Sequence, residues 1–196
     1  TGDSVEAMAI LDVDKDEENI TIYPINTDAD VYVGYGTAGS VNVKISDLCK
    51  YKDMSYIMEK ISAVTSINID YYVSFSASSF ITAVDELNKK KIYSYTVPKD
   101  MMHTYSLLPE LQEYNIDFKK GEKLTSGIDL YNVLRYVGDS QSDRMSRQSS
   151  VARDMVKKLI TSHIANKDVK GVVSTFNTLL KTVKECETNI TLDTFI

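Results

Sequence analysis

Asp143-Arg144-Met145-Ser146-Arg147-Gln148 follows a break at Gly138-Asp139-Ser140 and opens a long helical pattern. Residues three apart share one face of a helix, so the side chains of Arg144 and Arg147 are expected to lie together. Arg135 belongs to the preceding predicted helix, on the other side of the break. Neighbouring guanidinium groups repel one another unless an anion lies between them, and their planar donors suit phosphate oxygens. The stretch therefore predicts an anion site at a helix start, where backbone N–H groups favour the same charge.

A simpler interpretation of the same spacing is a solvated basic face. Asp139 and Asp143 are close enough along the chain to pair with the arginines. Exposed ion pairs of this kind are common on helix surfaces and contribute little to stability. Spacing alone leaves both interpretations open.

The composition is that of an acidic globular protein. The chain has 196 residues, of which 43% are hydrophobic and 26% are charged, so it is long enough to bury a core. Lys and Arg number 22 against 28 Asp and Glu, which gives a net charge of -6. We expect no nucleic-acid partner, because affinity for the phosphate backbone comes mainly from an excess of Lys and Arg. An anion site in this chain has to be a local cluster.

Two further features bear on location and cofactors. Cys49 and Cys186 do not form a CxxC pair and histidine occurs only twice, so a Cys/His metal site is not expected. No apolar run approaches the length of a membrane helix. The chain begins at Thr1 without an initiator methionine or signal peptide, and we interpret it as a piece of a longer protein, whose anchor would be missing here.

Apolar periodicity alternates between strand-like and helix-like segments. Residues 5–14 and 20–25 predict a hairpin. Residues 31–39 are rich in Gly and Tyr but lack the Gly-Lys-Ser/Thr ending of a phosphate-binding loop. Alternation of strands and helices indicates one α/β domain over residues 1–196, with a central mixed β-sheet covered by helices on both faces. Further strands are predicted at 67–75 and 92–97, helices at 54–64, 80–87, 130–137, 144–159 and 169–183, and an irregular segment at 101–121 with one helical turn near 107–111.

Three polar features are expected beyond the strand ends, where ligands of open α/β sheets tend to bind. They are the Asn26–Asp30 loop with Asp28, the lone Lys44, and the arginine cluster. Carboxylates beside arginines fit a Mg²⁺–pyrophosphate site, because hard oxygen ligands hold the metal and guanidinium groups hold the phosphates. Ordinary surface salt bridges explain each feature equally well when it is taken alone.

Over nearly its whole length the chain resembles the LytR–CpsA–Psr cell-envelope family. Asp143 to Gln148 resembles that family's Arg-x-x-Arg-Gln ending. Leu124 to Gly127, followed by Leu134-Arg135-Tyr136, resembles the segment that leads to it. Ile20 to Asp28 is similar to the family strand that ends in Ser-Ile-Pro-Arg-Asp, and Lys44-Ile45 to its Lys-Leu/Ile-Asn segment. The order and spacing of these segments agree with the family.

The resemblance implies a bacterial extracytoplasmic domain that hangs from an N-terminal membrane helix. It implies binding of polyprenyl (pyro)phosphate lipids and Mg²⁺-dependent transfer of a glycopolymer phosphate from such a lipid to peptidoglycan. A carboxylate near the metal would take the proton of the sugar hydroxyl. Carried over by position, the resemblance assigns Asp28 and Glu6 to metal binding, and Asp28 also to catalysis. It assigns phosphate binding to Lys44, Arg135, Arg144 and Arg147, of which Arg144 and Arg147 also take part in catalysis. Gln148 would support Arg147 or bind the head group.

The chain departs from the family pattern at four of these motif positions. Thr27 replaces the arginine of Pro-Arg-Asp, Val137 replaces the second arginine of Arg-x-Arg, Glu6 replaces an aspartate, and Gln141 replaces an acidic residue. The loss of two arginines predicts weakened transfer, since removing one well-placed transition-state donor costs roughly 3–4 kcal/mol. The alternative function is a non-catalytic module that holds a polyprenyl-phosphate lipid or a cell-wall glycan. A Mg²⁺-dependent turnover assay separates the two functions.

Overall fold

The computed structural model describes residues 4–14, 19–34, 39–50, 53–89, 93–164 and 186–190. The chain divides into two compact units, Thr1–Tyr72 and Val73–Ile196. Each unit has its own cluster of buried apolar side chains and is described by itself. Among the described residues, no helix combines the length and the apolar character needed to cross a membrane.

The first unit combines two antiparallel hairpins with one long helix. The β1–β2 hairpin pairs Met8 with Ile25 and Asp14 with Asn19, as the alternation of the sequence predicted. The elements of the unit are β1 (Met8–Asp14), β2 (Asn19–Ile25), β3 (Asp30–Gly34), β4 (Ser40–Lys44), a 3₁₀-helix (Ile45–Lys50) and α1 (Met54–Thr65).

The Gly- and Tyr-rich segment, for which the sequence analysis predicted no element, begins with a strand that pairs with β4. Val31 and Val33 are buried, whereas Tyr32 between them is 65% exposed, which is the period-two pattern of a strand with one buried face. The two strands pair from Asp30 opposite Lys44 to Gly34 opposite Ser40. The alternating valines were the available signal, and the surrounding glycines obscured it.

Helix α1 confirms the apolar stripe that the sequence predicted. Its first turn is capped by Asp53, whose side chain accepts a hydrogen bond from the backbone N–H of Tyr56 at 3.0 Å. It ends at Ser66, which adopts the left-handed conformation with φ of 58°. The core of this unit consists of Ile10, Ile25, Val31, Val33, Ile45, Leu48, Ile57 and Ile61.

The second unit consists of three helices and several short strands. The predicted strands at 67–75 and 92–97 shorten to Val73–Phe75 and Tyr95–Thr96. The interpretation of 101–121 as irregular is wrong, because β7 and β8 pair antiparallel within it. The elements are β5 (Val73–Phe75), α2 (Ala77–Lys89), β6 (Tyr95–Thr96), β7 (Met101–His103), a 3₁₀-helix (Pro109–Tyr114), β8 (Ile116–Phe118), β9 (Lys123–Leu124), α3 (Gly127–Arg135), α4 (Gln141–Ile164) and β10 (Cys186–Thr188).

The α/β class is confirmed, while the sheet differs from the prediction. Within the described ranges the strands form five two-stranded antiparallel pairs in place of one central mixed sheet. Three of these pairs join strands that follow one another in the chain. The other two pairs join strands that are distant in the chain, but each strand contains only two or three residues. A single domain over 1–196 stays a prediction, and the predicted helix at 169–183 lies outside the described residues.

Helices α2 and α3 approach each other closely at Gly127. The backbone N–H of Gly127 donates to the Asp85 side chain at 2.7 Å, which gives a partner to one of the donors that have none within the helix at the start of α3. A Cβ atom at Gly127 would lie 2.7 Å from the carbonyl carbon of Ile81, so a side chain has no space there. The core around these helices consists of Val84, Tyr93, Tyr95, Val97, Met101, Ile116, Phe118, Leu124, Leu130, Val133, Tyr136 and Val151.

Gly127→Ala is expected to lower the free energy of unfolding by about 2 kcal/mol or more, because the clash involves main-chain atoms that no rotamer change can relieve. Urea denaturation followed by circular dichroism measures the change. Gly34→Ala is the matched control, since no heavy atom lies within 4 Å of its added Cβ. Equal denaturation midpoints for the two variants would contradict the close approach of α2 and α3.

Candidate functional site

Asp28 and Lys44 lie together on the surface of the first unit. The Asp28 Oδ1 and Lys44 Nζ atoms are 3.7 Å apart, with the two side chains 40% and 54% exposed. The Asp28 backbone N–H donates to the Asn26 side chain at 3.0 Å, which fixes the turn after β2. An exposed pair adds little stability. The pair nevertheless places one carboxylate and one ammonium group side by side on the surface.

Glu6 approaches the same surface through the backbone. The N–H of Val5 donates to the carbonyl oxygen of Ser46 at 2.9 Å, and the N–H of Ser46 donates to the carbonyl oxygen of Thr27 at 2.8 Å. Glu6 and Asp28 are the residues that follow Val5 and Thr27, and both are exposed. The two carboxylates predicted to bind metal therefore flank one short segment.

The donor set of this surface fits a partly hydrated cation. The described residues contain no group of three or more His, Cys, Asp and Glu side chains that could hold a metal ion. Magnesium usually takes only one or two carboxylates from the protein, keeps several waters and completes its shell with substrate phosphates. Asp28 and Glu6 are compatible with that mode and not with a site built from protein ligands alone.

The end of α3 in the second unit is capped by two side chains of α4. Arg147 Nε donates to the carbonyl oxygen of Val133 at 2.8 Å, and its Nη2 donates to that of Tyr136 at 2.6 Å. Gln148 Nε2 donates to the carbonyl oxygen of Leu134 at 3.0 Å. The last carbonyl groups of a helix have no partner within it, and a cation there complements the helix dipole. The Arg-Gln pair of the sequence motif thus supplies the missing donors.

A buried carboxylate completes this arrangement. Asp139 forms an ion pair with Arg147, and the side chains are only 3% and 5% exposed. Lys99 Nζ lies 2.8 Å from Asp139 Oδ1 and 3.6 Å from Asp143 Oδ2. Burial lowers the pKa of the Arg147 guanidinium, which stays charged because that pKa starts far above neutrality. The pairing with Asp139 that the simpler interpretation proposed is present, but it is buried.

Arg135 lies among aromatic rings. Its guanidinium carbon is 3.7 Å from the ring centre of Tyr105, 5.3 Å from that of Tyr114 and 5.4 Å from that of Tyr131, distances at which cation–π attraction operates. Its Nη2 also donates to the Tyr114 carbonyl oxygen, and its Nε donates to the Asn132 side chain at 3.1 Å. Arg135 therefore ties the end of α3 to the loop between β7 and β8.

The three predicted arginines have different surroundings. Arg147 is directed at carbonyl groups and Asp139, and Arg135 is directed at tyrosines. Arg144 is half-buried in the first turns of α4. The phosphate-binding roles of these arginines and of Gln148 stay predictions. Asp28, Glu6 and Lys44 belong to the first unit and the arginines to the second, so the two groups are described separately.

Two residues of the arginine network were missed or misjudged by sequence reasoning. Asp139 was considered only as a surface partner, although its place in the break between two helices pointed to a tight turn. Lys99 was not considered, because a single lysine after Pro98 follows no pattern. Only the fold brings it to a carboxylate forty residues further along the chain.

Comparison with known proteins points to one family. A sequence model described as the LytR_cpsA_psr family matches residues 3–196, which confirms the resemblance carried by the motifs. A search of curated proteins found no significant match.

Solved structures show the same fold. Bacillus subtilis TagV is similar with a TM-score of 0.72 and 19% identity, covering 98% of this chain and 68% of its own. Protein gbs0355 from Streptococcus agalactiae has a TM-score of 0.72 and 16% identity, and the match covers 96% of this chain and 62% of the gbs0355 chain. TagT bound to LIIa-WTA has a TM-score of 0.60 and 19% identity, and the match covers 97% of this chain and 66% of the TagT chain. At these identities the likeness establishes the fold alone, and this chain spans about two thirds of each structure.

Arg147→Met is expected to lower the free energy of unfolding by about 3 kcal/mol, because it leaves helix carbonyls without donors and removes one cation from the buried Asp139. Methionine keeps the apolar stem. The matched control is Arg153→Met, an exposed position further along α4. Urea midpoints that shift equally in both variants would show that the cap of α3 does not stabilise the unit.

Proposed function

Because this chain belongs to the LytR_cpsA_psr family, we propose that it transfers a glycopolymer from a polyprenyl pyrophosphate lipid to peptidoglycan. The family acts in the cell envelope, in the transfer of cell-wall glycopolymers. The family match over residues 3–196 is the observation that carries the proposal. TagT, a relative of the same fold, has been solved bound to LIIa-WTA, which agrees with a lipid-linked glycopolymer as the class of substrate.

The proposed reaction is a phosphoryl transfer. The oxygen of the acceptor sugar hydroxyl forms a bond to the phosphorus atom that carries the glycopolymer. The bond between that phosphorus and the bridging oxygen of the pyrophosphate breaks, and polyprenyl phosphate leaves with the bond electrons on that oxygen. The hydroxyl proton passes to a carboxylate. Positioning and charge neutralisation supply most of the catalysis in such reactions.

In the first unit, Asp28 is the best candidate for the carboxylate that takes this proton. It is exposed, held in a fixed turn and adjacent to the Lys44 ammonium, which would hold a phosphate oxygen. Asp28 and Glu6 would hold Mg²⁺. When bound, the ion would neutralise phosphate charge and polarise the oxygens that bear it.

In the second unit, Arg144 is the best candidate for a direct phosphate ligand. It lies in the same first turns of α4 as Asp143 and is half-buried, with its backbone fixed by a hydrogen bond to the Ser140 carbonyl at 2.9 Å. Arg147 and Gln148 already cap α3. We therefore assign them mainly to holding the start of α4 in place, and Arg144 to the substrate.

We also propose that the protein works on the extracytoplasmic face of the bacterial membrane, tethered through a segment N-terminal to this chain. The lipid substrate and peptidoglycan are both reached from that face. This location follows from the family and its substrate class.

A second candidate function is a module that binds the lipid or a cell-wall glycan without turnover. Two observations favour it. Thr27, which stands in place of a family arginine, is buried, and Val137, which replaces another, is exposed but uncharged. Arg147 is also engaged inside the protein. Fewer cations are then available to stabilise charge in the transition state.

The first test mixes the protein with a polyprenyl-pyrophosphate-linked saccharide, Mg²⁺ and peptidoglycan fragments, and measures release of polyprenyl phosphate. Asp28→Asn and Arg144→Gln are each expected to lower the rate by roughly 10²-fold, the usual loss of one donor or base. Arg153→Gln, at an exposed position of the same helix as Arg144, is expected to keep the wild-type rate.

The same mixture decides between the two functions. Lipid binding by the wild-type chain without Mg²⁺-dependent release would replace the transferase by the binding module. Absence of both binding and release would contradict both functions.

A further inference from the structure

The loop that joins β7 to β8 exposes apolar side chains. Residues 104–115 lie between the two strands. Leu107 is 87% exposed, Leu108 is 54% exposed and Leu111 is 40% exposed. A single exposed leucine is common on a protein surface, whereas several together on one loop mark a candidate contact surface. Residues 104–109 contain no charged side chain, so the first half of the loop is uncharged as well as apolar.

The backbone of this loop is held in place by side chains at its base. Asn115 Oδ1 accepts hydrogen bonds from the backbone N–H groups of Tyr105 at 2.7 Å and Ser106 at 3.0 Å, and its Nδ2 donates to the Ser106 carbonyl oxygen at 2.8 Å. Asn132 of α3 donates to the Glu113 carbonyl oxygen at 2.9 Å. These bonds close the loop and tie it to α3. The leucines are therefore presented to solvent by a backbone of fixed geometry.

Charged and apolar side chains occupy different faces of the loop. Residues 109–114 form a 3₁₀-helix, in which side chains three residues apart lie one above the other. Glu110 and Glu113 therefore share one face of this helix, and Leu111 lies on another. The loop can bury its leucines in an apolar medium while both glutamates stay in water.

Tyrosine rings and one guanidinium group lie at the base of the loop. Tyr105 and Tyr114 come from its two ends, and their ring centres are 3.7 Å and 5.3 Å from the guanidinium carbon of Arg135. The ring centre of Tyr131, on α3, is 5.4 Å from the same atom. From the middle of the loop to its base the order is thus leucine, tyrosine and arginine. A membrane surface has the same order of layers, because tyrosines concentrate between the acyl chains and the phosphates, and cations meet the phosphates.

We propose that the 104–115 loop rests on the lipid surface of a membrane, with Leu107, Leu108 and Leu111 among the acyl chains. A protein partner fits less well, because a stable protein interface covers about 800 Å² on each partner and a narrow loop with three leucines offers less. The inference rests on the proposed function in one respect, namely that the substrate is a lipid held in a membrane.

The test uses the absence of tryptophan from the chain. Leu107→Trp introduces a single reporter, which is titrated with phosphatidylcholine vesicles that contain no polyprenyl lipid. Zwitterionic lipid is chosen because the net charge of -6 would be repelled by an anionic surface. The emission is expected to shift to shorter wavelength and to be quenched by lipids brominated on their acyl chains, since an inserted indole ring leaves water. Val64→Trp, at a 61% exposed position of α1, is the matched control and is expected to show neither change.

A second variant measures how much the leucines contribute. Leu107→Ser/Leu108→Ser is expected to lower the partition of the chain into the same vesicles by about tenfold or more in a flotation assay. Val64→Ser is expected to keep the wild-type partition. Added salt should leave the wild-type partition unchanged, because burial of apolar groups is not screened by ions. The thermal midpoint of the double variant should stay near that of the wild type, since both leucines are exposed.

Three outcomes would overturn the inference. The first is an emission spectrum of Leu107→Trp that neither shifts nor is quenched when lipid is in excess. The second is a shift that appears without vesicles as the protein concentration rises, which would assign the loop to a second copy of the chain. The third is a shift that requires polyprenyl phosphate in the vesicles, which would assign the loop to the substrate's own tail.

Release of polyprenyl phosphate from a detergent-solubilised substrate tests the proposed function separately. Release together with an unchanged Leu107→Trp spectrum would overturn the membrane contact while the proposed function stands. A shifted and quenched spectrum without release would contradict the transferase and leave the membrane contact in place.

Discussion

The buried guanidinium of Arg147 determines how α3 meets α4. It donates to two carbonyl groups at the end of α3 and pairs with Asp139 in the turn between the helices. Burying any one of these groups without the others would destabilise the fold, because a buried charge or carbonyl group loses its hydration and would have no hydrogen-bond partner in its place. The turn 136–140 and the first residues of α4 consequently have one favourable arrangement. Gln148, which follows Arg147, reinforces it by donating to Leu134.

The same constraint shapes what the site can do. The Arg147 guanidinium already donates to main-chain carbonyls, so it would act on a bound anion mainly through its positive charge rather than through direct hydrogen bonds. The groups that face solvent near it are Lys99 and the half-buried Arg144. A motif of two arginines thus divides into a buried residue, Arg147, that holds the two helices together and a half-buried one, Arg144.

Short-range contacts organise the carboxylates of the first unit. Asp28 sits in a turn fixed by Asn26, two residues earlier, and its partner Lys44 ends the next hairpin. Sequence reasoning singled out Asp28 in the loop after a predicted strand and Lys44 as a separate feature, and only the structure shows that the two are paired. It could not supply the bonds through Ser46 that bring Glu6 to the same surface, since Val5 and Ser46 are far apart along the chain. Nor could it anticipate that Tyr105 and Tyr114, from the loop between β7 and β8, lie beside Arg135.

By itself the sequence determined the α/β class, the β1–β2 hairpin, the helices α1 to α4 and the family, because apolar periodicity and motif spacing act over a few residues. It did not determine the extent of the strands, which depends on partners elsewhere in the chain. In the second unit it indicated Asp139 as a partner of the arginines, but not which arginine it pairs with or that the pair is buried. Only the tertiary structure decided that Arg147 turns inward and that Lys99 reaches Asp139. The physical reason is that a side chain's hydrogen bonds depend on which distant carbonyl and carboxylate groups folding brings within about 3 Å.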